Sequence, residues 1–143
     1  MEIARPNRVL LRAGFLLFLL ALFTGLAIPA FLNQKMALAA HLTGVLNGLV
    51  LVAAGLVWGL LTLGPTPARL AQGLFLYGAY ANWAVSCLAA AWGTSRLTPI
   101  SGAGYSAAAW QETLVQLLQV TLALSILTAV ALVVYGLRKR PSA

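Results

Sequence analysis

The 143-residue chain is 62% hydrophobic and only 8% charged, with a mean hydropathy of +0.93 and a formal net charge of +7. These values exclude an ordinary soluble domain and put the chain among integral membrane proteins. The positive charge does not imply nucleic acid, because the basic residues gather at the two chain ends, where membrane topology and lipid headgroups account for them.

A bilayer core about 30 Å thick takes roughly 20 apolar residues as a helix. Four stretches reach that length, at about 10–31, 38–62, 69–92 and 108–137. The first follows Arg5, Arg8 and Arg12, and Ala37-Leu38-Ala39 imitates a signal-peptidase site. The apolar run from Val9 to Leu32, broken only by Arg12, nevertheless exceeds the about 7–15 residues of a signal core, so it reads as a retained transmembrane helix. Asn33-Gln34-Lys35 forms the first connection.

The second span carries the single histidine, His41, and Asn47 six positions later. It also has Gly44, Gly48 and Gly55, small residues at close-packing spacing, which suggest self-association with a site at or near the subunit seam. Gly64-Pro65-Thr66-Pro67 stops this span and starts the next. The third span holds Tyr77, Tyr80, Asn82 and Trp83; Tyr80 and Trp83, three apart, share a face that either stacks an aromatic substrate or simply packs. Cys87, alone, has no partner for a disulfide and reads as a small apolar filler. A longer connection, 93–107, is rich in Gly, Ser and Thr, and its length suits a cap over a site. The fourth span opens with Trp110, Gln111 and Glu112; Trp92 and Trp110 are expected in the interfacial belt, and Trp83 deeper.

Seven of the nine basic residues fall on one side of this topology, leaving Lys35 and Arg96 on the other, so both termini are expected in the cytoplasm. Short connections make neighbouring helices antiparallel. The expectation is one all-α transmembrane domain over 1–143, a four-helix bundle in a bacterial-type cytoplasmic membrane, associating as a homo-oligomer.

Polar groups in hydrocarbon must face protein, water or ligand. His41, Asn47, Asn82 and Glu112 stand out. Asn47 and Asn82 each lie about 15 Å from the outer helix ends at 1.5 Å per residue, hence at matching depth near the midplane, while His41 and Glu112 lie nearer the mouth. A separation of six residues turns His41 and Asn47 about 240° apart, so both cannot aim at one spot. Each group also has a plain reading: His41 wetted by headgroups, the two amides bonded to each other, Glu112 favoured by the dipole of a first helical turn.

The motifs "AHLTGVLNG", "YGAYANW" and "AAAWG…P…GAG…QE" resemble the hydroxylaminobenzene mutases, small membrane isomerases that turn arylhydroxylamines into 2-aminophenols. The likeness runs from about Gly25 to Gly136. A more distant similarity is to the styrene-oxide isomerases, which share a histidine, an Asn-Gly six residues on, and an Ala-Asn pair; here these are His41, Asn47-Gly48 and Ala81-Asn82. The resemblance implies a homotrimer holding ferric haem b, with His41 as axial ligand to iron acting as a Lewis acid. It implies Asn47 as a catalytic polar group positioning the substrate; beside it Asn82 would orient the migrating hydroxyl or the amine, Tyr80, Trp83 and Ser86 would lie against a small aromatic substrate entering from the bilayer, and Glu112 would carry a proton between the pocket and the outer water. Ser86 stands where the epoxide isomerases have a tyrosine, which favours hydroxylamine over epoxide chemistry. One histidine leaves one iron face open, as a Lewis-acid site needs and a bis-histidine electron carrier does not.

Three other readings predict different observations. An aryl-epoxide isomerase would turn over styrene oxide. A small oligomeric transporter coupled through Glu112 would move protons and carry no chromophore. A subunit of a larger redox complex would be inactive alone.

Overall fold

The computed structural model describes residues 5–138, so Lys139 and Arg140, two of the charges used to orient the chain, lie outside the described residues. Four helices traverse the molecule: α1 (Arg8–Leu26), α2 (Gln34–Val57), α3 (Pro65–Trp92) and α4 (Ala109–Gly136), with no strand among the described residues. Each is long and apolar enough to cross a membrane.

Local chemistry sets the ends. Asn7 caps α1, its side chain accepting from the amides of Val9 and Leu10 at 3.0 and 3.2 Å. The helix stops at Leu26 rather than near 31 and passes into a single 3-10 turn, Ile28–Ala30. Pro29 explains this, since a proline there has no N–H to give and its ring would strike the carbonyl one turn back. The Asn33-Gln34-Lys35 stretch, expected as a connection, is instead a cap and first turn. Asn33 accepts from Met36 N at 3.0 Å, and α2 therefore begins at Gln34, four residues earlier than expected. Gly64 and Pro65 open α3 with proline at the first position, where its missing N–H costs nothing. Gly93, at φ +70°, ends α3 in the left-handed conformation that glycine adopts freely.

The helices pack in chain order as an open row. α1 lies on α2, α2 on α3 and α3 on α4; α1 touches α3 lightly, and there is no substantial α1–α4 contact among the described residues. The four helices of the expected bundle are thus laid out as an open row within one chain. In lipid no hydrophobic force drives the outer helices together, because hydrocarbon solvates leucine as well as another helix does. Phe15, Leu19 and Phe23 of α1 and Leu117, Leu124 and Leu127 of α4 stay exposed accordingly.

Two apolar clusters hold the row. One, near the termini, centres on Leu10, Leu17, Leu51, Phe75 and Ala129; the other, near the long connection, on Met36, Ala37, Val85, Ala89, Val115 and Leu122. Asn47 of α2 and Asn82 of α3 fall between them along their helices. The ends are laced by hydrogen bonds: Asn7 N donates to Gly55 O at 2.8 Å and Thr62 N to Gly136 O at 2.7 Å, which brings both ends of the described chain to the same side.

The α1–α2 seam is the tightest. A Cβ added at Gly14 would lie 2.6 Å from Gly48 O, and one at Gly48 would lie 2.9 Å from Phe18 N. Gly44 faces Ala21 and Trp83, each 2.7 Å from a would-be Cβ. The small-residue face of α2, expected at a seam between subunits, is used up inside the chain.

Candidate active site

The early start of α2 puts His41 two turns inside the helix rather than at its mouth. Its ring lies across α1 at Gly25, where an added Cβ would come within 2.8 Å of Nδ1. Nδ1 is 2.7 Å from the carbonyl of Ala21. A carbonyl only accepts, so Nδ1 carries the proton and donates. The remaining ring nitrogen, Nε2, is thereby an acceptor, and it makes no hydrogen bond among the described residues. A backbone carbonyl bonded to one imidazole nitrogen is the arrangement that fixes the tautomer and aims the other nitrogen as a ligand.

Trp83 completes this corner. Its indole packs against Gly44, and Nε1 donates to Thr24 Oγ1 at 3.0 Å, while Thr24 donates to Leu20 O at 3.0 Å. His41 and Trp83 thus both hold α1, from α2 and α3 respectively. Thr24, which sequence reading passes over, is the hydroxyl that lets a buried indole N–H find a partner.

The two asparagines sit apart from that corner. Asn47 Nδ2 donates to Ala79 O at 3.3 Å, so it is bonded to the α3 backbone and not to Asn82. This pairing, with Gly44 opposite Trp83, staggers the amides by about one turn rather than setting them at one depth. Asn82 is half-buried and has no hydrogen-bond partner among the described residues. Ser86, one turn further along α3, is buried at 6% exposure. His41 and Asn47 point to opposite neighbours, α1 and α3, as their spacing requires.

Tyr80 is not beside Trp83's partner. Its hydroxyl donates to Ala13 O at 2.8 Å, eleven positions along α1 from Thr24, and it lines an open groove of about 580 Å³ with Val9, Arg12, Ala13, Leu16 and Leu76. The two aromatic rings therefore engage α1 about 16 Å apart along its axis and do not make one stacking platform.

Glu112 is buried at 7% exposure, and both carboxyl oxygens are taken, by Ser95 N at 2.9 Å and Arg96 N at 3.1 Å. Asn33 holds the same connection by donating to Ser101 O at 2.8 Å. Glu112 anchors the loop, its two oxygens accepting from backbone amides. Trp92 and Trp110 meet edge to face at 5.3 Å at the same end. Gln119, which sequence reading also passes over, leaves its Oε1 buried without a partner. The signal for it was a carboxamide ten residues into an apolar span.

No group of three or more His, Cys, Asp or Glu residues able to hold a metal ion occurs among the described residues. A metal held by protein ligands alone has no set here; a porphyrin, which brings four nitrogens of its own, asks only for one imidazole, and His41 Nε2 fits that need.

Comparison with known proteins agrees with these motifs. The family model described as styrene oxide isomerase matches residues 6–138. Hydroxylaminobenzene mutase HabB of Ectopseudomonas oleovorans is 43% identical over 136 residues, covering 94% of this chain and 83% of that protein. Hydroxylaminobenzene mutase HabA of the same organism is 38% identical over 130 residues, covering 90% and 96% respectively. No solved structure matches the chain significantly. On these matches the chain belongs to the styrene oxide isomerase family, as an isomerase of the mutase kind.

Proposed function

We propose that this protein rearranges an arylhydroxylamine, hydroxylaminobenzene or a close relative, to the corresponding 2-aminophenol. The observation that carries the reading is the 43% identity to a hydroxylaminobenzene mutase across nearly the whole chain. The N–O bond breaks and a C–O bond forms at the neighbouring ring carbon; the proton displaced from that carbon is balanced by one gained at nitrogen. Nothing is oxidised or reduced overall.

His41 would hold ferric haem b through Nε2, with Ala21 O fixing the ring by its bond to Nδ1. When bound, the haem supplies an electron-poor centre that polarises the N–O group. Asn82, whose amide is free, orients the amine or the migrating hydroxyl, and Asn47, anchored on Ala79 O, fixes the α2–α3 spacing around it. Trp83 keeps α1, α2 and α3 in register behind His41. The open row leaves both outer helices with apolar flanks, and a homotrimer in the cytoplasmic membrane with both termini inside covers part of them. An apolar aromatic substrate reaches such a site from the lipid.

The family description favours one second reading, an aryl-epoxide isomerase. Ser86, buried and without a phenol, argues against it. Purified protein given hydroxylaminobenzene and styrene oxide in parallel decides between them. Aminophenol formation with no phenylacetaldehyde supports the proposal; turnover of the epoxide alone overturns it.

A further inference from the structure

Gln119 Oε1 is a buried acceptor with no partner, in the middle of a helix that crosses the membrane. Such a group is unfavourable in hydrocarbon unless something donates to it. Its surroundings on α4 point to α3: Val115 and Leu122, one turn to either side, pack with Val85 and Ala89. The α3–α4 register follows from three close pairs, Tyr77 with Thr121, Leu74 with Ser125 and Gly78 with Ile126. In an antiparallel pair these set Gln119 opposite residues 79–85 of α3, the stretch that contains Asn82.

Helical phase sharpens this. On α3, Gly78 faces α4 and Ala79 faces Asn47 of α2; at 100° per residue Asn82 falls between them, about 40° from Gly78. On α4, Gln119 lies within about 20° of Ile126 and on the opposite side from Thr121, which bonds the exposed Tyr77. Both amides therefore occupy the side of the α3–α4 seam that turns toward α2. Ser86, buried and about 40° further round α3 from Asn82, lies on the same side.

We propose that Gln119 is a substrate-binding residue, its Oε1 accepting a hydrogen bond from the N–H or O–H of the arylhydroxylamine while Asn82 engages the other polar atom. The assignment rests on the function proposed above. It matches the ligand's chemistry: the hydroxylamine brings two donors to a seam whose own acceptor is unsatisfied, and hydrocarbon offers neither group a partner. An epoxide carries no donor and would leave Oε1 unpaired.

The test uses the full-length protein in detergent, as wild type, Gln119→Leu and Gln119→Met. Each variant is assayed for turnover of hydroxylaminobenzene, inhibition by its N,O-dimethyl analogue, which lacks both donors, thermal midpoint and oligomer size. We expect KM to rise about tenfold with kcat changed much less, inhibition by the donor-free analogue unchanged, and a midpoint equal to or above wild type, because a buried unpaired amide has been removed. An unchanged KM, equal weakening of substrate and donor-free analogue, or a lowered midpoint with dissociation in both variants would each overturn it, the last by assigning the amide to packing or to a neighbouring copy. Wild type inactive on hydroxylaminobenzene defeats the proposed function, and this assignment with it.

Discussion

The α1–α2 seam and the α3–α4 seam solve the same problem in opposite ways. At the first, glycines bring backbones to contact and the polar groups of the His41 corner are partnered: His41 Nδ1 on Ala21 O, Trp83 of α3 on Thr24, Thr24 on Leu20 O. At the second, Gly78 alone admits a close neighbour, and beside the bonds between Tyr77 and Thr121 and from Ser125 to Leu74 O the amides Asn82 and Gln119 are left without partners among the described residues. In lipid, where polar groups help decide which faces meet, a partnered group fixes geometry and an unpartnered one is open to a ligand. His41 belongs to both descriptions, since one nitrogen is structural and the other free.

The comparison breaks most readily at the tight seam. Gly48→Leu drives a side chain into Gly14 O and the Phe18 backbone, and we expect a loss of at least about 3 kcal/mol, seen as failure to accumulate in the membrane. Gly25→Ala is subtler, since its Cβ meets the His41 ring rather than backbone. The ring must shift off Ala21 O, and turnover should fall about tenfold or more with little change in helix content by circular dichroism. Retained activity would show that the Ala21 bond does not position the imidazole.

Smaller effects sharpen the contrast between anchors and chemistry. Glu112→Ala strips both Ser95 N and Arg96 N of their acceptor and should cost about 3 kcal/mol of stability in a denaturation series, with turnover below the melting range within about threefold of wild type. A collapse of activity in the intact protein would return Glu112 to the chemistry. Trp83→Phe removes one hydrogen bond between helices and should lower stability by only about 0.6 kcal/mol.

Much of this was legible in the sequence, and the exceptions share a cause. Four spans, their polar residues and the impossibility of aiming His41 and Asn47 at one point follow from hydropathy and the 3.6-residue period. Cap chemistry moved the helix ends: Pro29 shortens α1 and Asn33 lengthens α2, which carries His41 deeper. Spacing along one helix cannot tell which neighbour a face will meet. The Gly44 and Gly48 face therefore read as a seam between subunits although it is filled by α1 and Trp83, and spacing left Tyr80 and Trp83 open between a stacking platform and plain packing, whereas they bond α1 at Ala13 O and Thr24. Glu112 looked like chemistry for the same reason, because nothing in its own helix announces that the amides of Ser95 and Arg96 fold back onto it.

The most direct measurement is the absorbance spectrum of detergent-purified wild type beside His41→Ala, with hydroxylaminobenzene turnover followed on the same samples. We expect a strong Soret band and aminophenol formation in wild type, and loss of both in the variant. A colourless wild type with full turnover, or a variant that keeps both pigment and activity, would contradict the role given to the free nitrogen of His41.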